Sequence, residues 1–269
     1  MEHLLDKHKF GPWAIVTGAS SGIGREFARQ IASNGIHVVL VARRIQLLEE
    51  ARERFEKDYG VQCRVVQADL SKDGFLAEIE SATRNLDIGL VVSNAGTASP
   101  GEFLKHDRSS LLDLFKLNAQ AHLELSHYFG KLLAQRKRGG LLLVGAMGAA
   151  QGVPYLAHES ASKSFVLTLG RSLNFELSPF GIHVTVLVVG PTQTAIIEKF
   201  GLDPKTMPMK PMSAERCVYE GLGALKRNRP SFINGRVNRA MNALVPSELS
   251  RKMMKKMMEQ GLRSQGLLK

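Results

Sequence analysis

The sequence predicts a doubly wound α/β fold, a parallel sheet with helices on both faces. Three observations predict it. Short apolar runs alternate with helical stretches of roughly 10 to 20 residues along most of the chain. The runs are apolar throughout, as strands buried on both faces require. The first run ends in a glycine-rich turn that opens directly into a helix. With 269 residues, 44% of them apolar, the chain is long enough for a substantial core, and one domain is the economical reading.

The elements follow in order. Trp13 to Thr17 (WAIVT) is a buried strand closed by Gly18. Gly22 to Asn34 reads as a helix, and Gly35 supplies its C-terminal stop. His37 to Val41 is the second strand, Ile45 to Asp58 a helix rich in Glu, Arg and Leu, and Cys63 to Gln67 the third strand. Phe75 to Arg84 is helical and Ile88 to Val92 is strand four. A helical region runs from Ser109 to Arg136 in two pieces, before strand five at Gly140 to Val144. His158 to Leu177 is a helix and Ile182 to Val189 is strand six. Ser213 caps a helix running to Lys226, and Ser231 to Gly235 is a last edge strand.

Composition bounds the function. Cys63 and Cys217 give no disulfide framework and no metal-ligand spacing, and read as small buried side chains in a reducing compartment. No metal site is expected. The start, MEHLLDKHKFGPW, has no apolar signal region, and no apolar run reaches the ~18 residues of a membrane span. A cytoplasmic protein is expected. The net charge of +11 is uneven: Lys205 to Lys269 holds 14 Lys and Arg against 4 Asp and Glu. Such a segment suits anionic surfaces, yet nothing supports specific nucleic-acid reading.

The turn TGASSGIG carries the strongest motif. Gly18, Gly22 and Gly24 let the backbone turn sharply and aim the first NH groups of the next helix at a phosphate. Its place after a strand and before a helix supports that reading. NAG (Asn94, Ala95, Gly96) follows strand four, Asp69 and Leu70 stand in ADL after strand three, and Asn118 lies in KLNAQA. Lys163 ends ASK, and GPTQT follows strand six.

Together these residues resemble the short-chain dehydrogenase/reductase family over about Gly11 to Thr194, nearest to bacterial members related to 3-oxoacyl and 17β-hydroxysteroid reductases. The resemblance implies a Rossmann-like fold, an oligomer and a dinucleotide cofactor. It places Gly18, Ser20, Ser21, Gly22, Ile23 and Gly24 on the pyrophosphate. Asp69 and Leu70 fall at the adenine, Asn94, Ala95 and Gly96 along the ribose, and Lys163 on the nicotinamide ribose. Pro191, Thr192 and Thr194 fall at the carboxamide and pyrophosphate side. Arg43 and Arg44 follow strand two, where NAD would need a carboxylate; two guanidiniums suit a 2′-phosphate, so NADP(H) is favoured.

The resemblance breaks at the chemistry. The family uses a Tyr four residues before the Lys as proton donor, and a Ser roughly thirteen residues earlier. Counting back from Lys163 gives Glu159 and Ala146. A model Glu titrates at about 4.3 and a Tyr at about 10. Lys163 one turn away favours the carboxylate, while burial disfavours it. If the ion pair wins, Glu159 is an anion, unable to protonate an alkoxide but competent as a base. Tyr155, four residues before Glu159, is a weak candidate for a replacement acid, and His158 reads as a helix-start residue. Gly145, Ala146, Gly148, Ala149 and Ala150 suggest a smooth wall for a bulky apolar substrate.

The last quarter shapes the substrate side. Residues 195–235 read as a lid, with a Met- and Pro-rich stretch at Ala195 to Met212. Residues 246–262 form an amphipathic helix: Leu249, Met253, Met254, Met257 and Met258 on one half, Arg251, Lys252, Lys255, Lys256 and Glu259 on the other. Packing on the same protomer, a subunit contact, and a peripheral membrane foot through 247–262 stay open.

Three functions are carried forward. The leading expectation is an NADP(H)-binding enzyme that uses Glu159 as a base, with Lys163 and Asn118, to isomerise, dehydrate or cyclise a lipophilic carbonyl compound. The second is an NADP(H)-dependent oxidoreductase with an unusual proton donor, favoured if an apolar pocket raises Glu159 toward neutrality. The third is a non-catalytic binding or regulatory subunit.

Overall fold

Seven parallel strands lie in the order β3-β2-β1-β4-β5-β6-β7 in a computed structural model that describes residues 4–194, 196–202 and 210–268. They are β1 Trp13–Thr17, β2 His37–Ala42, β3 Cys63–Gln67, β4 Ile88–Ser93, β5 Gly139–Ala146, β6 Ile182–Val189 and β7 Ser231–Ile233. The helices are α1 Lys7–Phe10, α2 Gly22–Ser33, α3 Ile45–Tyr59, α4 Phe75–Thr83, α5 Arg108–Phe115, α6 Ala121–Arg136, α7 Ala157–Leu177, α8 Ile196–Lys199, α9 Ala214–Lys226, α10 Arg236–Leu244 and α11 Ser247–Ser264.

Strand parity explains the double winding. Along β1, Ala14 and Val16 enter one buried cluster with Val38, Leu40, Leu90 and Val92, together with Phe27 and Ile31 of α2 and Leu222 of α9. Ile15 enters the other, with Val39, Val41, Val91 and Leu141, against Leu125, Phe129 and Leu133 of α6. Successive side chains of a strand point to opposite faces, so an unbroken apolar run fills both layers at once. Strand β3 departs from this pattern. Only Val66 is buried and Arg64 is exposed, because β3 lies at the sheet edge. Cys63 on it is half-buried, against expectation, whereas Cys217 is buried.

The chain reverses its winding direction between β1 and β4, where the crevice of such a sheet opens. The segment after β1 and the segment after β4 therefore meet at one place. The predicted two-piece helix is α5 and α6 joined by a π-helical turn, Lys116–Gln120, with Asn118 at its centre. Such a turn inserts an extra residue into the helix and often marks a functional position. Ser213 accepts a hydrogen bond from the Arg216 amide, as its capping role requires. Of the expected lid, Ala195 and residues 203–209 lie outside the described residues.

Candidate active site

The crevice is stitched shut at its base by Thr17. Its Oγ1 accepts from the amides of Asn94 (2.9 Å) and Ala95 (3.0 Å), and Asn94 Nδ2 donates to the Thr17 carbonyl at 2.9 Å. The turn Gly18–Gly24 lies against this seam. Gly18 takes φ +69° and Gly22 φ +55°, a region that glycine enters without steric cost. A Cβ at Gly24 would run into the Gly18 carbonyl oxygen, so only glycine lets α2 start this close to β1. Ser21, the residue before α2, makes no side-chain cap bond. The first NH groups of α2 therefore face the crevice with the positive end of the helix dipole. Thr194 crosses over them: a Cβ on Gly22 would sit 3.5 Å from its methyl group. Ile23 is half-buried against the core behind the turn.

Arg44 closes the outer side. Its guanidinium donates to Ser20 Oγ at 2.8 Å and Ser21 Oγ at 2.7 Å, which sets positive charge beside the turn. Arg43 is 3.9 Å from Asp69. Burial works against the Asp69 carboxylate, yet two hydrogen bonds from Ser71 and the charges of Arg43 and Lys72 hold it below its ordinary range. Leu70 is buried in the core beside this loop. On the far wall Thr192 Oγ1 donates to the Gly190 carbonyl at 2.9 Å, and Asn234 accepts from the Gly190 amide at 2.7 Å. Pro191 lies between them in the same turn. Tight glycines, an uncapped helix start and the Arg44 guanidinium beside it are the features that suit the phosphates of a dinucleotide.

Asn118 is fully buried and spends its whole amide on Thr97, accepting from its NH at 2.9 Å and donating to its carbonyl at 2.8 Å. It thereby fixes the loop that carries Gly96. A Cβ at Gly96 would be 3.1 Å from both Asn118 Oδ1 and Lys163 Nζ, so this glycine keeps open the space between them. Lys163 is buried and donates to the Val144 carbonyl at 3.0 Å. Burial pushes its ammonium down to about 8 against the attraction of Glu159.

Glu159 stands one turn before Lys163 on α7, on the same side of the helix. Its Oε2 is shut off from solvent and has no hydrogen-bond partner. Among the described residues no ion pair within 4.0 Å joins it to Lys163. Burial pushes the Glu159 carboxyl up to about 7, only partly opposed by Lys163 and Lys199. Of the two outcomes left open by the sequence, desolvation outweighs the attraction of Lys163. Ala146 ends β5 without a hydroxyl, so no serine aids the carboxyl.

The neighbours take other duties. Ser160 Oγ accepts from the Val153 amide at 3.0 Å, and Ser162 Oγ donates to the Glu159 carbonyl at 2.7 Å. Tyr155 adopts φ +66° and its hydroxyl donates to Glu259 of α11 at 2.9 Å, which rules it out as the replacement acid in this arrangement. His158 Nε2 is buried without a partner, its ring edge-on to His106 at 4.9 Å. Sequence reasoning missed Thr17, Thr97 and Asn234. Thr17 was visible as the first letter of the glycine motif; the other two act through contacts with distant loops. A fully buried His122, bonded to Ser93 at 2.8 Å and held neutral by burial and Lys163, also went unforeseen. No group of three metal-ligating side chains exists among the described residues.

Comparison with known proteins agrees with this crevice. The family model described as short chain dehydrogenase matches residues 12–205. The chain belongs to the short-chain dehydrogenase family. A 7beta-hydroxysteroid dehydrogenase of Clostridium sardiniense is 27% identical over 234 residues, covering 87% of this chain and 89% of that protein. A very-long-chain 3-oxoacyl-CoA reductase of Laccaria bicolor is 38% identical over 180 residues, 65% of this chain. The match spans only 53% of that fungal protein's length. A short-chain dehydrogenase from Sphingobium yanoikuyae, solved in complex with NADPH, superposes with a TM-score of 0.78 at 31% identity, over 94% of this chain and 95% of that one. These relatives are named as dehydrogenases and reductases, and one solved structure holds NADPH, which supports oxidoreductase chemistry and corrects the leading expectation of base-catalysed isomerisation, dehydration or cyclisation.

Proposed function

We propose that this short-chain dehydrogenase is an NADP(H)-dependent oxidoreductase of a lipophilic ketone or secondary alcohol, with Glu159 as its proton donor and acceptor. The observation that carries the reading is the Glu159 carboxyl, buried with an unpartnered Oε2 and raised to about 7. A carboxyl in that range holds its proton often enough to give it to a developing alkoxide and returns to the anion readily enough to take one from a hydroxyl. The base role thus belongs to alcohol oxidation.

The turn Gly18–Gly24 and the open start of α2 would hold the pyrophosphate, and Arg43 with Arg44 would favour a 2′-phosphate. Asp69, Asn94 and Gly96 would line the adenosine and ribose, Lys163 the second ribose, and Pro191, Thr192 and Thr194 the carboxamide side. When bound, the cofactor supplies or accepts the hydride. Glu159 moves the proton at the substrate oxygen. Lys163 tunes Glu159 through charge, and Asn118 positions both by fixing the Thr97 loop. Substrates resembling those of the relatives, a steroid ketone or a 3-oxoacyl thioester, suit the hydroxyl-free wall at Gly145 and Ala146.

Two further parts belong to the proposal. The segment around Phe200 and helix α11 form the lid side, since Met258 and Met254 pack with Ala98, Val153, Leu156 and Phe200. Subunits associate through the exposed apolar faces of α5, α6 and α7.

The test follows NADPH absorbance with a steroid ketone and a 3-oxoacyl-CoA. The protein is expected to oxidise NADPH in step with product, and Glu159→Gln to lose about 10²-fold or more in turnover while still binding NADPH. Product that forms with NADPH unconsumed would overturn the redox reading in favour of base catalysis. Full turnover in Glu159→Gln would remove Glu159 from the chemistry.

A further inference from the structure

The last two helices present an outer face that the proposed chemistry does not use. The inner side of α11 is committed: Met258 and Leu262 are fully buried, and Met254 packs on the segment that leads to Glu159. Its apolar half was expected to include Leu249 and Met253, but these two point outward, 52% and 45% exposed. Four residues apart, they lie on one side of the helix, with exposed Lys252, Lys256 and Arg263 interleaved. Across the two-residue joint at Val245 and Pro246, helix α10 continues the pattern. Val237 and Leu244 are 64% and 80% exposed, seven residues apart, beside exposed Arg236. From Arg236 to Gln265 the chain has seven Arg and Lys against two Glu.

This face borders a cavity of about 540 Å³, lined by the stretch Glu102 to Lys105 with Pro154, Tyr155 and Lys255, so it lies between α11 and the loop before Glu159. Leu104 is 94% exposed on its rim.

We propose that α10, the outer side of α11 and the Phe103–Lys105 turn form a docking face for an anionic lipid bilayer. Isolated apolar tips set among cations match the headgroup boundary: Glu102, Glu248 and Glu259 pair with Lys105, Arg251 and Lys255, while Arg236, Lys252, Lys256 and Arg263 are placed to meet lipid phosphates as the apolar side chains insert. A globular partner would call for a continuous apolar centre, whereas here lysines interrupt the patch. The exposed face of α7 along Phe165, Thr168, Ser172 and Phe175 carries a single bordering cation, Arg171, which donates to Ser231 Oγ at 3.0 Å.

Vesicle sedimentation of the full chain tests this without any turnover, so it stands or falls apart from the redox reading. The protein is expected to sediment with phosphatidylcholine vesicles containing phosphatidylglycerol and to stay in solution with phosphatidylcholine alone. Added salt is expected to release it. Lys252→Gln with Lys256→Gln is expected to weaken partition at least tenfold, since each interfacial cation contributes about fivefold. Leu249→Asp with Met253→Asp is expected to abolish it with melting temperature and NADPH binding unchanged. Equal behaviour with both vesicle types, or sedimentation of the aspartate variant like the parent, overturns the proposal. So does a parent that ignores vesicles while the aspartate variant loses oligomer mass, which would make the face a subunit contact.

Discussion

In the proposed chemistry a carboxyl at position 159 serves as an acid only because of where it is. Spacing alone puts it beside Lys163, and an exposed pair of this kind would keep Glu159 ionised. Burial reverses the balance, lifting Glu159 to about 7 and lowering Lys163 to about 8. Both shifts favour the uncharged form, the expected result when two groups share little solvent. The pH dependence follows with a definite sign. Ketone reduction needs protonated Glu159, so its rate is expected to be level below about 7 and to fall as pH rises through it. Alcohol oxidation needs the anion and is expected to rise over the same range. The observed break belongs to the Glu159–Lys163 pair. Turnover measured in both directions between weakly acid and alkaline buffers checks this, and Glu159→Gln should remove the break. A break near the ordinary carboxylate value of about 4.3 would mean that burial does not govern this group.

At the scale of elements, the contact between α2 and the β1 turn shapes the proposed cofactor site. Alanine ordinarily improves a helix interior by up to about 1 kcal/mol over glycine. At Gly24 its methyl group would meet the Gly18 carbonyl and the Asn94 amide, backbone and side chain that cannot both retreat. Gly24→Ala is therefore expected to destabilise by about 1–3 kcal/mol, the usual range for overpacking, and to weaken NADPH binding. Gly130→Ala in α6 is the control. Its Cβ would find Leu177 at 3.8 Å, ordinary contact, so it is expected to stabilise slightly. Urea unfolding of the two variants separates them. The same contrast shows what a reader of the sequence can and cannot see. The strands and the glycine turn were legible, because apolar runs and glycines report local geometry. The π-helical turn around Asn118 was not, since no periodicity marks one extra residue. Nor was the edge position of β3, which depends on strand order. Tyr155 was read as a weak candidate acid, but its partner Glu259, 104 residues away, could not be foreseen. Counting from Lys163 puts Glu159 one turn away on α7, but its protonation rests on the enclosure built by distant segments, which spacing does not report.

For the whole molecule, the decisive surface is the outer side of α7, the helix that carries Glu159 and Lys163. Ala161, Phe165, Thr168, Ser172 and Phe175 recur at spacings of four and three along its exposed side, a stripe able to meet a second helix. Phe175 is 73% exposed, and Leu112, Phe115 and Leu123 of α5 and α6 add uncovered apolar surface nearby in the chain. Aromatic side chains left this open mark an association surface. Light scattering is expected to show a dimer or a larger even-numbered assembly. Phe165→Glu with Phe175→Glu is expected to give a folded monomer, because each buried aromatic anchor contributes at least about 2 kcal/mol and the introduced charges repel across a symmetric contact. Glu159 Oε2 is shut off from solvent within one chain, so the monomeric variant is expected to keep the break in its reduction profile near about 7. An unchanged assembly mass in that variant would place the subunit contact on another face. A monomer whose break moves down in pH would show that assembly completes the enclosure of Glu159.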